Sequence, residues 1–297
     1  MSVKTFAAID VGSFELTMKI FDFSGKNTMR EIDSIRQRID LGSDTYANGK
    51  ISNEKMDDLC HTLKEFAQIM ESYKVIAYKA YGTSAIRETE NTLILQDQIE
   101  QRTGIRVEIL SNSEQRFLDY KSIASKGETF RRIIEEKTAI LDIGGGSIQI
   151  SLFDKDTLVS TQNLRLGVLR LQELLNHLNA GSTQMEQLVD ELATAQLDDY
   201  KKLYLKDREI KNIIIVDDYL SPWAVRKAHE RGDGNAMVDS KAFYQLMEAL
   251  RTRGTTELAK RMDIAEEKVP LVYISAVLTK RIAELMGAAL IWAPGVT

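Results

Sequence analysis

A thirteen-residue pattern occurs twice in this chain of 297 residues, and the repeat constrains the fold more than any other feature. The segment IDVGSFELTMKIF, residues 9–21, matches LDIGGGSIQISLF, residues 141–153. In each copy an apolar run ends in an aspartate, a glycine-containing stretch follows, and apolar residues then alternate with polar ones. Alternation of this kind is typical of a half-buried strand, so each copy predicts two strands joined by a tight turn. The repeat therefore predicts a duplicated α/β unit.

The elements predicted after each copy also follow one plan. After the first copy come a strand (MREIDSIRQRIDLG), a helix from near Ser52, a strand (VIAYKAYG), a helix (TSAIRETEN), a strand (RVEILS) and a helix from Ser111. After the second come a strand (LVSTQNLRLG), helices through Tyr204, a buried strand (NIIIVDD), helices to about Gly287 and a strand (AALIWAP). We therefore predict two domains, 1–125 and 126–297. Because no Pro/Gly/Ser-rich linker separates them, we expect the two turns to face each other across an interdomain cleft.

Composition disfavours some classes of partner and excludes a disulfide framework. A net charge of −5 and a pI near 5.5 disfavour nucleic acid or an acidic membrane as the main partner. A single cysteine, Cys60, excludes an internal disulfide framework and fits a reducing compartment. The N-terminus enters a strand-like run without a leader pattern, and no apolar run reaches about 18 residues. We expect a cytoplasmic protein whose three histidines hold no metal.

The glycine turns are suited to binding an anion. Glycines adopt conformations that let successive backbone N–H groups converge, and a serine adds a hydroxyl donor. The aspartate before each turn, Asp10 or Asp142, can hold the water shell of a cation or orient a nucleophilic water. A single Gly-Gly-Gly hairpin is equally well explained as a tight β-turn. Because the feature occurs twice, we interpret both turns as phosphate-binding loops.

Further segments carry a family resemblance. YGTSAIRETEN, EILSNSEQRFLDY and LRLGVLRLQEL follow the turns in an order that resembles the Ppx/GppA family of exopolyphosphatases and guanosine pentaphosphate phosphatases. That family belongs to the superfamily of actin, sugar kinases and heat-shock chaperone ATPases. The resemblance implies two actin-like (RNase H-like) domains, each a mixed sheet flanked by helices, in a short form without the C-terminal helical domains of longer members.

The resemblance also implies the site residues. The phosphate-binding residues would be Asp10, Gly12, Ser13, Thr83, Ser84, Arg87, Gly144, Gly145, Gly146 and Ser147, and Asn91 fits the same pattern. Asp10 and Asp142 would bind Mg²⁺, with Asp142 beside the ion or the attacking water. Three of these residues have a plainer alternative, since Thr83 or Ser84 could be a helix N-cap and Arg87 a solvated helix charge.

Several positions depart from the family pattern. The first loop of the family continues Ser-Asn-Ser, whereas this chain has Ser13, Phe14 and Glu15, and a carboxylate there repels phosphate unless a cation intervenes. The acidic pair that supplies the catalytic base aligns with Glu114 and Gln115, and the usual base falls on the glutamine.

Two further departures lie in the second half. Gln149 stands where the family has an acid, and an amide cannot act as a general base. Asp217 and Asp218 stand where the family has a Gly-Gly-Thr loop. Glu114 could replace the missing base, but Ser111-Asn112-Ser113-Glu114 also matches a helix capping box.

Three functions are compatible with these residues. The first is a slow Mg²⁺-dependent phosphoanhydride hydrolase that removes terminal phosphate from polyphosphate or from guanosine tetra- or pentaphosphate. The second is a catalytically impaired family member that binds a phosphorylated ligand as a sensor or regulatory subunit. The third, an actin-like kinase or ATPase, is disfavoured because the last third shows no glycine-rich adenosine-binding loop. The sequence favours the hydrolase narrowly and leaves a homodimer open.

Overall fold

A computed structural model of the chain describes residues 4–23, 29–178, 182–206, 208–232 and 237–295. The chain divides into two compact units, Met1–Gln115 and Arg116–Thr297. Each unit contains one five-stranded mixed sheet flanked by helices. The predicted α/β class with two mixed sheets is therefore confirmed. Among the described residues, no helix is both long enough and apolar enough to cross a membrane.

The first unit begins with a three-stranded meander. Its elements are β1 (Lys4–Val11), β2 (Glu15–Phe23), β3 (Met29–Arg38), α1 (Leu41–Asn48), α2 (Asn53–Ser72), β4 (Ala77–Gly82), α3 (Ser84–Glu88), α4 (Thr92–Thr103), β5 (Glu108–Ile109) and α5 (Asn112–Ala124). The sheet order is β3-β2-β1-β4-β5, with β1 antiparallel to β2 and parallel to β4. The division between the units falls inside α5.

The second unit repeats the meander and adds more helices. Its elements are α6 (Glu128–Ile134), β6 (Thr138–Ile143), β7 (Ile148–Asp154), β8 (Thr157–Leu164), α7 (Val168–His177), α8 (Ser182–Tyr200), β9 (Asn212–Val216), α9 (Ser221–Glu230), α10 (Ser240–Thr252), α11 (Thr255–Met262), α12 (Val269–Met286) and β10 (Leu290–Trp292). A π-helical turn, Lys201–Leu205, extends α8, and a 3-10 turn, Glu266–Lys268, precedes α12. The sheet order is β10-β9-β6-β7-β8.

Helix α2 shows how the sequence builds the first core. Its apolar residues recur every three or four positions and are buried on one face, at Met56, Leu59, Leu63, Phe66 and Met70. The helix starts next to Ser52, as predicted. The Ser52 Oγ caps this start by accepting a hydrogen bond from the Lys55 N–H at 3.4 Å. Cys60 lies on the same helix and is fully buried.

Strand β7 differs from the sequence prediction. Its apolar–polar alternation predicted one solvated face, but Gln149 and Ser151 are buried together with the apolar residues. Ser151 is accommodated because its Oγ hydrogen-bonds to the Thr161 Oγ1 of β8 at 3.0 Å. Polar residues in β7 therefore indicate hydrogen bonding inside the unit instead of contact with water.

Candidate functional site

The two copies of the repeat close into turns of the same geometry. Gly12 N donates to Glu15 O at 3.1 Å, and Gly144 N donates to Ser147 O at 3.0 Å. In the strands that flank the turns, Asp10 lies opposite Thr17 and Asp142 lies opposite Gln149. The repeat therefore holds residue by residue in the backbone.

The second turn is shaped by helix α7. Val168 N donates to Gly144 O at 3.0 Å, Leu169 N donates to Gly145 O at 3.0 Å, and the Arg170 Nε donates to Gly146 O at 2.9 Å. In a planar trans peptide a carbonyl and the following N–H point in opposite directions. The N–H groups that follow these carbonyls therefore point away from α7, the arrangement in which turn amides bind anions.

Gly167 permits this close contact between α7 and the turn. A Cβ at Gly167 would lie 2.2 Å from Gly145 O and 2.3 Å from Ser147 N, so any larger residue must displace the turn. The sequence motif LRLGVLR contains this glycine, although its spacing gives no hint of which backbone it approaches.

Carbonyls of the first turn also accept backbone hydrogen bonds from the segment that begins the next helix, but the side chains of this turn are different. Gly42 N donates to Ser13 O at 2.7 Å and Asp40 N donates to Phe14 O at 2.9 Å, so the N–H groups of Phe14 and Glu15 point the other way. The Phe14 ring is buried, and the guanidinium of Arg38 lies 5.1 Å from its centroid. Phe14 therefore replaces a side-chain donor without removing the backbone donors.

Glu15, the other unusual residue of this turn, lies next to a cation. It pairs directly with Arg38 across β2 and β3, where opposite charges attract. This arginine can partly neutralise the carboxylate and so reduce the repulsion of phosphate that the sequence analysis expected from Glu15.

The Thr-Ser-x-x-Arg segment lies at the same edge of the first sheet. Strands β1 and β4 are parallel, and Thr83 N donates to Val11 O at 3.3 Å, which brings Thr83 next to the first turn. Thr83 is the N-cap residue of α3, but its side chain makes no cap hydrogen bond. The Arg87 Nη1 donates to Leu110 O at 2.7 Å and to the Gln115 Oε1 at 3.4 Å, so Arg87 is anchored at this edge.

A residue that the sequence gave no reason to select joins these two segments. The Tyr46 hydroxyl of α1 lies 2.9 Å from the Ser13 Oγ and 2.5 Å from the Ser84 Oγ. Asn91, in contrast, is used within the fold, because its Nδ2 donates to Ile51 O at 2.8 Å and its Oδ1 accepts from Ile51 N at 3.2 Å.

Glu114 forms the capping box that its spacing allowed. Its Oε2 accepts hydrogen bonds from Ser111 N at 2.9 Å and from the Ser111 Oγ at 2.8 Å. Its own N–H donates to the Ser111 Oγ at 3.2 Å, which completes the reciprocal pair. These bonds, the one from the backbone first, lower the pKa of the Glu114 carboxyl. A lower pKa makes this carboxylate a weaker base.

In the second unit, one aspartate lies beside the second turn and another occupies a helix start. Asp142 is half-buried at the end of β6, between Gln149 of β7 and Val216 of β9. Asp217 directly follows the last residue of β9 and is buried. Its Oδ2 accepts from Leu220 N at 2.9 Å.

The Asp217 Oδ1 accepts from Ser221 N at 2.6 Å, and its Oδ2 also accepts from the Ser275 Oγ at 2.6 Å. The carboxylate thus takes the place at the start of α9 where a bound anion would find its donors.

Each turn has one aspartate beside it, and a carboxylate suits Mg²⁺ better than a softer metal. In the described residues no group of three or more His, Cys, Asp or Glu is placed to hold a metal. Mg²⁺ needs only one or two carboxylates when phosphate and water supply the other oxygens. Asp10 is exposed, and its Oδ2 lies 3.4 Å from the position of a Cβ on Gly12, so it is directed toward the first turn. Asp10 and Asp142 therefore have the chemistry for this ion.

A cavity of about 520 Å³ lies elsewhere in the second unit, among α8, α10 and α12. Glu186 there accepts hydrogen bonds from the Arg251 Nη2 at 2.7 Å and from the Lys280 Nζ at 3.1 Å. The bond from Arg251 contributes most to lowering the pKa of Glu186 to about 2. Because three acids balance the three bases that line this cavity, and all three bases pair with these acids, it is poorly suited to bind polyphosphate.

Comparisons with known proteins point to one family. The sequence profile of the Ppx/GppA phosphatase family matches residues 20–287. Exopolyphosphatase 1 of Mycobacterium tuberculosis is 28% identical over 144 residues, which make up 48% of this chain and 40% of that protein. The guanosine-5'-triphosphate,3'-diphosphate pyrophosphatase of Photobacterium profundum is 24% identical over 160 residues, 52% of this chain and 31% of that protein. The chain thus spans less than half of the length of these relatives.

A solved structure gives the same result for the fold. The crystal structure of an exopolyphosphatase from Cytophaga hutchinsonii superposes with a TM-score of 0.76 and covers 99% of this chain and 95% of that one. Its sequence identity is 19%, so this likeness concerns the fold alone.

Proposed function

Because the chain belongs to the Ppx/GppA phosphatase family, we propose that it is a phosphoanhydride hydrolase that depends on Mg²⁺. In this proposal it removes terminal phosphate from polyphosphate or from guanosine tetra- or pentaphosphate, at a low rate. Relatives named as an exopolyphosphatase and as a guanosine-5'-triphosphate,3'-diphosphate pyrophosphatase support both substrates. The single buried cysteine fits a reducing compartment, and we place the activity in the cytoplasm.

The duplicated turn is the observation that carries the proposal. In each unit, carbonyls of the glycine turn accept hydrogen bonds from the residues that begin the next helix. The N–H groups that follow these carbonyls therefore point away from that helix. Oriented backbone donors bind phosphate oxygens and need no reorganisation when charge develops during phosphoryl transfer. This property does not depend on the side chains, which differ between the two turns.

Each further residue has a separate task in this proposal. Asp10 and Asp142 would hold Mg²⁺, which supplies charge neutralisation for the phosphates when it is bound. Ser13, Ser84 and Arg87 would donate hydrogen bonds to phosphate oxygens, and a guanidinium is the donor best matched to them. Glu114 is the remaining candidate for a general base, since it is adjacent to Gln115, the position of the family's usual base.

A second candidate is a protein that binds a phosphorylated ligand with little turnover. The capping box favours it, because the Glu114 Oε2 already accepts two hydrogen bonds from Ser111. Gln115 accepts from the Arg87 Nη1 and has no carboxylate to offer as a base. In this alternative the protein would act as a sensor or a regulatory subunit.

Phosphate release from polyphosphate and from guanosine pentaphosphate, with and without Mg²⁺, tests the proposal. If Glu114 is the base, Glu114→Gln should lower kcat by about 10²-fold, because a general base commonly contributes about 10²–10⁴-fold. The same change should leave stability nearly intact, since glutamine also completes a capping box. An unchanged low rate would assign Glu114 to the helix start alone.

The converse variant restores the acid at the family's position. We expect Gln115→Glu to raise the rate by about 10²-fold if the missing carboxylate limits the chemistry. If neither this variant nor the natural chain releases phosphate although calorimetry shows binding, the second candidate is correct. If the natural chain neither binds nor hydrolyses these compounds, both candidates are wrong.

A further inference from the structure

One face of the first sheet carries a row of polar side chains that begins at Asp10. Asp10 of β1 lies opposite Thr17 of β2, and Thr17 lies opposite Arg36 of β3. Directly opposed residues of neighbouring strands point to the same face of a sheet, so these three side chains share one face. Leu16, next to Thr17 in β2, is fully buried on the other face. The row therefore runs from the candidate Mg²⁺ ligand to β3, the edge strand of the sheet.

Thr17 and Arg36 have polar groups that the fold does not use. Thr17 is half-buried and Arg36 is exposed. In the part of the chain that the structure describes, neither side chain makes a hydrogen bond or an ion pair. The hydroxyl proton of Thr17 and the guanidinium of Arg36 are thus available to a ligand.

The bases nearest to this row on the same face each have an acid next to them. These pairs are Lys19 with Glu31 at 3.8 Å, Lys79 with Glu108 at 2.7 Å, and Arg38 with Glu15, which lies opposite it in the strand ladder. Arg36, in contrast, lies opposite the hydroxyl of Thr17. Its positive charge is therefore the least compensated in this part of the face.

The spacing of the row suits a ligand with several phosphates in line. Opposed residues have Cα atoms about 4.5–5.5 Å apart, so Asp10 and Arg36 are separated by about 10 Å. A cation on Asp10, the hydroxyl of Thr17 and the guanidinium of Arg36 all suit phosphate oxygens. On the other side of Asp10 the row continues with Tyr81 and Glu108, a ring and a carboxylate. A phosphate chain that starts at the first turn should therefore extend toward β3.

We propose that Thr17 and Arg36 form a subsite for linear polyphosphate, which binds phosphates that follow the one held at the first turn. This inference rests on the proposed function and names polyphosphate as its substrate in preference to guanosine pentaphosphate. The phosphates of that nucleotide are divided between two positions of a ribose, so fewer of them follow one another in line. Pyrophosphate held at the turn is too short to use the subsite.

The test measures the Kd of long-chain polyphosphate and of pyrophosphate by calorimetry in the presence of Mg²⁺. Arg36→Gln removes the charge and keeps a long polar side chain. We expect the Kd of long-chain polyphosphate to rise about three- to fivefold, near the upper end for an exposed ion pair, while that of pyrophosphate stays the same. Arg36→Lys should restore most of the binding, because it keeps the charge. Thr17→Val keeps the branched shape and should raise the same Kd about two- to tenfold, the usual effect of one hydrogen bond.

Arg30→Gln is the matched control. Arg30 lies at the far end of β3 and pairs with Asp22 at 2.9 Å, so this variant changes the net charge equally and should have a smaller effect on binding. Equal effects of Arg30→Gln and Arg36→Gln would overturn the subsite, since charges on an edge strand also serve to prevent pairing with another chain. An unchanged Kd of long-chain polyphosphate for Arg36→Gln would overturn it too, as would an equal loss for pyrophosphate.

Two further outcomes separate the subsite from the proposed function. An equal rise of the Kd for guanosine pentaphosphate in Arg36→Gln would overturn the choice of linear polyphosphate. If the natural chain binds none of the three compounds, the proposed function itself fails. That result is distinct from a natural chain that binds them and a variant that binds equally well.

Discussion

The first and second turns have the same backbone and almost opposite side chains. Both close with one hydrogen bond between the first and fourth residues of the turn, Gly12 to Glu15 and Gly144 to Ser147. The first turn contains an aromatic ring and a carboxylate, whereas the second consists of three glycines and a serine. What the two copies share is the direction of their N–H groups, so the backbone is the part of the motif that suits phosphate.

The difference lies in how each turn is supported. In the second unit the helix start comes so close that only a glycine fits at its N-cap, Gly167. In the first unit the N-cap is Asp40, in the left-handed conformation, with its side chain accepting from Ser43 N. Both turns are therefore held by backbone hydrogen bonds from a helix start, but only the second has an N-cap residue that lies against the turn and must be glycine.

The largest effect on this comparison is expected from Gly167→Ala. A Cβ there would lie 2.2 Å from the backbone of the second turn, so the turn must move. We expect the free energy of unfolding to fall by about 1–3 kcal/mol, as in other overpacked sites. Binding of tripolyphosphate should weaken by about tenfold to 10²-fold, since each hydrogen bond to a charged group contributes about 1.5–3 kcal/mol.

Gly254→Ala controls for the change of N-cap residue. Gly254 also precedes a helix and has nearly the same backbone angles as Gly167, φ −69° and ψ 150° against −67° and 150°. Nothing lies within 4 Å of the position of its Cβ. Chemical denaturation and calorimetry should show a small loss of stability and unchanged binding. Equal effects of the two substitutions would show that the contact between α7 and the turn does not matter.

Much of the fold could be predicted because its signals are local. Leu16, Met18 and Ile20 are fully buried on one side of β2, as their spacing predicted. The family assigned from the motifs is confirmed by the match over residues 20–287. Helices α1 and α6 were not predicted, because these short segments have no clear apolar stripe. The predicted strand RVEILS pairs over only two residues, Glu108 and Ile109.

The site was predictable only where its contacts are short-range. The capping box of Glu114 involves a residue three positions away, so its spacing is visible in the sequence. Tyr46 contacts residues 33 and 38 positions away, and nothing in its own neighbourhood indicates either. The same holds for Asp217, whose bond to Ser275 spans 58 residues. Contacts of this kind depend on how elements pack, which motifs do not encode.

A smaller effect is expected from Arg87→Ala, which alters the edge beside the first turn. We expect the Kd for tripolyphosphate with Mg²⁺ to rise about tenfold, because a guanidinium–phosphate contact is commonly worth about 1.5–3 kcal/mol. The loss of its bond to Leu110 O should also lower the Tm slightly. Arg102→Ala is the control, since this arginine pairs with Asp57 on the surface. An unchanged Kd for Arg87→Ala would limit Arg87 to a role in packing.

The smallest effect is expected from Glu15→Ser, which gives the first turn the residue that the second has at this position. Removing the carboxylate should lower repulsion of phosphate, while Arg38, its neighbour across the strands, loses a partner. Both charges lie near solvent, where such an interaction is worth about 0.2–1 kcal/mol. We therefore expect tripolyphosphate to bind about two- to fivefold more tightly at low ionic strength.

Salt and a control variant decide whether this gain arises at the turn. The Debye length falls from about 30 Å at 0.01 M salt to about 8 Å at 0.15 M, so part of the gain should disappear over this range. Glu31→Ser changes the net charge equally, but Glu31 pairs with Phe21 in the far part of the same two strands. It should therefore have a smaller effect on the Kd. If both variants tighten binding equally, only net charge matters, and the carboxylate in the first turn is not what distinguishes it from the second.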